Sequence, residues 1–203
     1  NEVKGDINKG VVNLRIEDSE NITVRDVNFK DNMHVACFIK NVKNVTFDNC
    51  DFDNVDSGIN GVNGTTTEGV YITRCRFDGH SVSEPISIPN AKNITITDCV
   101  MKNKEYGHAI AFDGSTDIYI NNIYTEKCGN GIYTVKSKEQ RVQHVIVENS
   151  TFKHSNYGNM LKNTDDIEFR NCKFINGITN IIDCNKVIFR DCEFIADTKP
   201  CMV

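Results

Sequence analysis

The sequence predicts an all-β fold, a parallel solenoid of about eight to nine coils with three short strands per coil. Three observations predict it. A nine-residue frame recurs eight times, apolar and polar residues alternate with the period of a strand, and asparagine is in surplus, with 26 in 203 residues.

In the frame, apolar residues take positions 2, 4, 7 and 9, and Asn or Asp takes position 6. The first copy is Asn21-Ile22-Thr23-Val24-Arg25-Asp26-Val27-Asn28-Phe29 and the second Asn44-Val45-Thr46-Phe47-Asp48-Asn49-Cys50-Asp51-Phe52. The others begin at Gly69, Asn93, Asp117, His144, Asp166 and Lys186, at steps of 20 to 27 residues. Positions 2 and 4 belong to one strand and 7 and 9 to another. Two consecutive polar residues at 5 and 6 place a corner between them, and Asn and Asp tolerate the left-handed conformation a tight corner needs. Arg74 is the exception at position 6. A third apolar stretch precedes most frames: Val35 to Ile39, Ile86 to Ile88, Ala109 to Phe112, Ile132 to Val135, Met160-Leu161 and Ile181-Ile182. Coils pair at about 4.8 Å, so eight of them make a rod on the order of 40 Å long.

This pattern resembles the right-handed parallel β-helix proteins of the pectate-lyase-like superfamily over nearly the whole chain, from about Val11 to Phe194. The resemblance implies that positions 2 to 4 form the second strand of each coil, 7 to 9 the third, and the preceding apolar stretch the first. It also implies ligand clefts along the first strand. It leaves the activity open, since the superfamily includes lyases, hydrolases, epimerases and non-catalytic phage tail proteins. The polygalacturonase-like run Asn163-Thr164-Asp165-Asp166 lacks its Gly-His-Gly and Arg-Ile-Lys companions and reads as a turn.

Stacked coils turn frame positions into ladders. Position 9 gives Phe29, Phe52, Phe77, Met101, Thr125, Phe152, Phe174 and Phe194, a core stack of rings interrupted twice. Position 7 holds five of the nine cysteines, Cys50, Cys75, Cys99, Cys172 and Cys192. In-register Cβ atoms about 4.8 Å apart lie beyond the roughly 3.5 to 4.5 Å of a disulfide, so free buried thiols are expected, as in a chain assembled in a reducing cytoplasm. Position 10 holds Lys30, Asp53, Asp78, Lys102, Glu126, Lys153, Ile175 and Ile195, often with opposite charges on adjacent coils, which reads as a solvated face. The sequons at Asn21, Asn44 and Asn93 belong to the frame and read as corners.

Lys plus Arg number 23 against 28 Asp plus Glu, a net charge of −5, with no basic block, so a nucleic-acid partner is not expected. Neither a membrane span nor a signal peptide is legible. The chain starts at Asn1 without Met and reads as one solenoid domain over residues 1–203, a segment of a longer protein whose capping lies outside Asn1 to Gly10 and Ala196 to Val203.

Length variation marks Asp53 to Glu68, Asp78 to Pro85 and Glu126 to Gln143 as the functional loops. Glu84, His108 and Asp113 are the candidate catalytic groups, and Asp56, Asn60, Tyr133, Lys136 and Lys162 the candidate substrate-binding ones, with Ser87 nearby. A carboxyl pair suits glycoside hydrolysis, whereas a lyase needs an Arg or Lys base and a cation. Glu84 and His108 sit at equivalent places one coil apart. No metal site is expected, although Asp48, Asp51, Asp53 and Asp56 would suit calcium if they converged. Trp is absent, and Tyr71, Tyr119, Tyr106, Tyr133 and Tyr157 are the aromatic platforms available to a sugar. Three readings follow. The first is a segment of a phage tail spike or appendage, in a virion or extracellular and homotrimeric, that recognises bacterial surface polysaccharide. The others are a polysaccharide lyase or glycoside hydrolase, and a structural solenoid without a ligand.

Overall fold

The structure is a computed structural model and describes residues 12–32, 34–79, 83–138, 140–154 and 158–196. All its strand pairings are parallel, and successive coils stack in register about eight times. The second face is an eight-stranded sheet of Glu20–Arg25, Lys43–Asp48, Thr67–Thr73, Ala91–Thr97, Thr116–Asn121, Val142–Glu148, Thr164–Arg170 and Asn185–Arg190, the strands that carry frame positions 2 and 4. The first and third faces join into one sheet of 14 strands, because Val100–Asp113 and Tyr124–Val135 run round the corner between them without a break.

That continuity corrects one of the expected loops. Most of Glu126 to Gln143 is strand, and among its described residues only 136–138, 140 and 141 leave the sheet. Asp53 to Glu68 is corrected too, since Ser57–Asn60 is a first-face strand paired with Val35–Lys40 on one side and Ile86–Ser87 on the other. Its small residues conceal it in the sequence. A Cβ on Gly58 would lie 2.4 Å from the Pro85 carbonyl oxygen and 2.7 Å from the Phe77 ring, so the backbone itself packs where other coils place a side chain. The residues beyond both ends that bear on capping, 1–11 and 197–203, lie outside the described residues, as does Tyr157.

Corners account for the asparagine surplus. Position 6 is left-handed in all eight frames, with φ between 50° and 56°. Position 1 is left-handed as well, at Asn21, Asn44, Gly69, Asn93, Asp117, His144, Asp166 and Lys186, and this the frame did not reveal. There the residue drops out of the pairing, as Asn93 does together with Asp117 between Lys92↔Thr116 and Ile94↔Ile118, so each second-face strand kinks at the same place and the register is kept. Stacked corner amides bond to one another: Asn49 Nδ2 donates to Asp26 Oδ1 at 2.6 Å, Asn54 to Asp31 at 2.8 Å, Asn122 to Asp98 at 2.7 Å and Asn171 to Asn149 at 2.8 Å. The sequon residues follow suit, since Asn44 donates to Asn21 at 3.1 Å and Asn93 to Glu68 at 3.0 Å. Arg74 keeps its strained corner by reaching Asp48 at 2.5 Å, and Arg25 holds the other oxygen of that carboxylate at 2.9 Å.

Inside, the ladders stand as read. Phe29, Phe52 and Phe77 stack with centroids 4.8 and 4.4 Å apart, and Phe152, Phe174 and Phe194 continue beyond Met101 and Thr125. The stack ends in the open, with Phe194 58% exposed. Thr125 Oγ1 is buried with no partner among the described residues. Thr125→Val removes that unpaired hydroxyl at equal size and should stabilise the fold by about 1 kcal/mol, read as a shift of the denaturation midpoint at constant m-value.

Of the nine cysteines, the eight described are free, and Cys37, Cys50, Cys75, Cys99, Cys128 and Cys172 are buried. Burial pushes the thiols of Cys128 and Cys172 up to about 11. Thiolate is the reactive form, so native protein at mildly alkaline pH should label with an alkylating reagent first at the half-buried Cys184 and Cys192 and at the six buried thiols only on unfolding. Rapid native labelling of Cys75 or Cys99, mapped by mass spectrometry, would contradict the interior column.

Candidate active site on the first face

The first face gathers four of the expected site residues through its register. Ile86 pairs with Ile110, so Glu84 and His108 hold equivalent places on adjacent coils, and His108 pairs with Asn130 on the next. Three positions further along, Asn60, Ser87, Ala111, Tyr133 and Met160 form a row across five coils. Asp113 closes the strand that begins the group, five residues from His108 and roughly 17 Å of backbone away at about 3.3 Å per residue. The floor between is low, because Ser87 and Ala111 are small. The chain is small there for a reason of packing, since Ile86, Ile110 and Ile132 fill the interior behind it.

The side chains interact. His108 lies flat on Tyr133, with ring centroids 4.1 Å apart and planes 4° from parallel. Asn130 Nδ2 stands 2.7 Å from His108 Nδ1. Burial lowers the affinity of His108 for a proton, and the negative charge of Glu84 opposes this. Burial raises the proton affinity of the Asp113 carboxyl above the ordinary aspartate value, and here the charge of Glu84 adds to the effect. Glu84 is thus felt by both groups. Its backbone carbonyl is fixed by the buried Ser57 hydroxyl, which donates to it at 3.0 Å.

The remaining expected residues lie around this group. Asn60 is in the row, its amide 3.4 Å from the Ser57 hydroxyl. Asp56 sits behind it, where its charge is felt by the amine of Lys104. Lys136 and Lys162 are exposed further along, and Lys136 is felt by Asp183. The run Asn163 to Asp166, expected to be a turn, is mostly strand: only Asn163 lies at a bend, and Thr164, Asp165 and Asp166 open the second-face strand, with Asp165 paired to Arg141 at 2.9 Å and Asp166 to Lys186 at 2.6 Å. The acidic residues Asp48 and Asp51 are turned to arginines, Asp51 to Arg76 at 3.1 Å, and no three His, Cys, Asp or Glu side chains converge as metal ligands among the described residues.

Two neighbours of the site were not foreseen. Asn130 is one, marked in the sequence only by its glycines, Gly129 and Gly131. Lys104 is the other, fully buried at the bend of its strand with Nζ donating to the Val55 carbonyl at 2.7 Å. Burial lowers its proton affinity, against the pull of Asp56, Cys128 and Asp78. Two concavities lie on other parts of the surface. One of about 500 Å³ follows the corner between first and second faces past Lys43, Glu68 and Lys92, and one of about 470 Å³ lies on the second face between Tyr71 and Tyr119. The first is lined by alternating charges that neutralise one another along the register, Glu20, Lys43, Glu68 and Lys92. On the first face it is burial that shifts His108 and Asp113, with the charge of Glu84 acting on both, whereas Glu168 and Arg170 on the second face are shifted by their mutual ion pairs.

Fold and site together define a pectate-lyase-like parallel β-helix with a carboxyl-bearing first face. The family model Rhamnogalacturonase A/epimerase, pectate lyase-like, matches residues 4–151, which include Glu84, His108, Asp113, Asn130 and Tyr133, and the chain belongs to this family. No curated protein matches the chain. The family ties it to polysaccharide-related function, and no described helix is long and apolar enough to cross a membrane.

Proposed function

We propose that this chain binds a bacterial surface polysaccharide along its first face and hydrolyses it there, as part of a phage tail spike or similar appendage. The observation that carries the hydrolytic reading is the pair of carboxyls, Glu84 and Asp113, with the second shifted toward its protonated form. Burial and the charge of Glu84 raise the proton affinity of the Asp113 carboxyl, the direction a general acid needs. Asp113 then protonates the departing glycosidic oxygen as the bond to the anomeric carbon breaks. Glu84 takes a proton from the water that attacks that carbon from the other side. The two carboxyls flank the floor of Ser87 and Ala111 in sequence order, and the mechanism proposed is the inverting one, in which water stands between acid and base. A lyase would need an Arg or Lys base beside the acidic proton, and the two exposed lysines of the face lie beyond Tyr133.

A panel of acidic and neutral polysaccharides tests this. Reducing ends should appear without the ultraviolet absorbance of unsaturated uronates, and the first product should carry the inverted anomer. Unsaturated products would make it a lyase, and silence across the panel would leave binding alone. The appendage setting is supported by the thiol interior, which suits assembly in a reducing cytoplasm before release. It predicts a homotrimer, and light scattering that finds a monomer at micromolar concentration would sink the setting while leaving the site untouched.

A further inference from the structure

The contact between Asn130 and His108 has a chemical direction. An amide nitrogen carries two hydrogens and no free lone pair, so Asn130 Nδ2 at 2.7 Å donates, and His108 Nδ1 accepts. A neutral imidazole that accepts at Nδ1 keeps its proton on Nε2. Protonating Nδ1 would set an N–H against an N–H, so the same contact opposes the imidazolium. Tyr133, stacked at 4.1 Å, prevents the ring from tilting away from its partner. Asn130 is itself 9% exposed and cannot exchange the contact freely for water. We infer that Asn130 is a positioning residue that holds His108 as the neutral Nε2–H tautomer, so that the imidazole meets a bound glycan as a hydrogen-bond donor to a sugar oxygen and not as a base.

This divides the work of the site. Proton transfer is left to the carboxyls, and His108 orients the chain being cut. The groups that face the ring are Glu84 from the preceding coil, the Asn130 amide from the following one and the Tyr133 ring. The donor role rests on the glycan reading of the first face, whereas the tautomer does not.

The test therefore starts on free protein of full length, with 15N-labelled histidine and His108 assigned through His108→Gln. The wild type should show the proton on Nε2 and should titrate below an ordinary histidine. Asn130→Asp presents an acceptor to Nδ1, so the proton should move there and the titration should shift upward. A wild-type proton on Nδ1 overturns the inference whether or not the variant folds. So does an Asn130→Asp protein that melts cooperatively with tautomer and titration unchanged. On a glycan that the wild type binds, Asn130→Asp should bind at least about tenfold more weakly, the equivalent of one hydrogen bond. Equal binding overturns the donor role. Failure of the wild type to bind any glycan, with the tautomer as inferred, overturns the glycan reading and the donor role with it, while the lock on the ring stands.

Discussion

Replacing Phe77 by aspartate should leave no cooperatively folded protein. Phe77 is fully buried, stacks on Phe52 at 4.4 Å, and lies against the backbone of Gly58. A carboxylate there finds no partner and stands in the middle of the rod, where no open end offers it water. An unpaired buried charge costs several kcal/mol, comparable with the whole stability of a domain of this size. Cys75→Asp, one column over and 2% exposed, should behave alike. Lys102→Ala, at the solvated position 10, should change the midpoint by less than about 1 kcal/mol. Circular dichroism during a thermal ramp reads all three. A soluble, cooperative Phe77→Asp protein would mean that the ladders are out of register.

Asp113→Asn should abolish hydrolysis and yet stabilise the protein. Removing a general acid or base costs about 10²- to 10⁴-fold in rate, and Glu84→Gln should lose as much from the other side of the floor. Stability follows from the direction of the shift. The proton affinity of Asp113 is higher in the folded protein than in the unfolded chain. Its contribution to stability is therefore fully present below the unfolded value and is lost as pH rises through the raised folded value. At neutral pH the folded site must either hold the carboxylate against burial and the charge of Glu84 or take up a proton, and both oppose folding, whereas a neutral amide of the same shape requires neither. The melting temperature of Asp113→Asn should exceed that of the wild type at neutral pH, and the gap should close as pH falls. A variant less stable than the wild type at neutral pH would show that Asp113 is a structural ion partner, and the acid would have to be sought elsewhere. Activity should fall on the alkaline side as Asp113 gives up its proton.

How far the sequence carries the fold depends on whether a position does one job or two. Position 9 does one, filling the core, and Phe recurs there visibly. Position 6 does one, turning a corner, and Asn or Asp recurs there except at Arg74, which Asp48 compensates. Position 1 also turns, but it lies within a strand and is taken by residues as unlike as Gly69, His144 and Lys186, so composition does not betray it. Ser57–Asn60 escapes because its core-facing space is filled by the Phe77 ring of another coil. The rounded bends at Val100–Asp113 and Tyr124–Val135 escape because a buried Lys104 looks like a surface residue. For the site, the equivalence of Glu84 and His108 follows from the repeat alone. The partnership of His108 with Asn130 and Tyr133 does not, because it depends on rotamers that no period encodes.

The corner ladder has a consequence for how such a molecule changes over generations. Among the described non-glycine residues, 21 of the 26 with positive φ are Asn or Asp, set at recurring places around each coil. A side-chain amide can donate to the coil before it and accept from the coil after it, so each Asn corner carries both halves of the same joint, whereas an Asp corner only accepts. Cutting the gene at one corner and rejoining it at an Asn corner of another coil leaves the joint with both a donor and an acceptor. Length becomes a heritable quantity that moves in steps of about 4.8 Å, one coil at a time, with no new interface to invent. The charged row and the Glu84 to Asn130 group do not share this freedom, since they need particular coils side by side. Duplication and deletion should therefore spare the middle of the rod and act toward its ends.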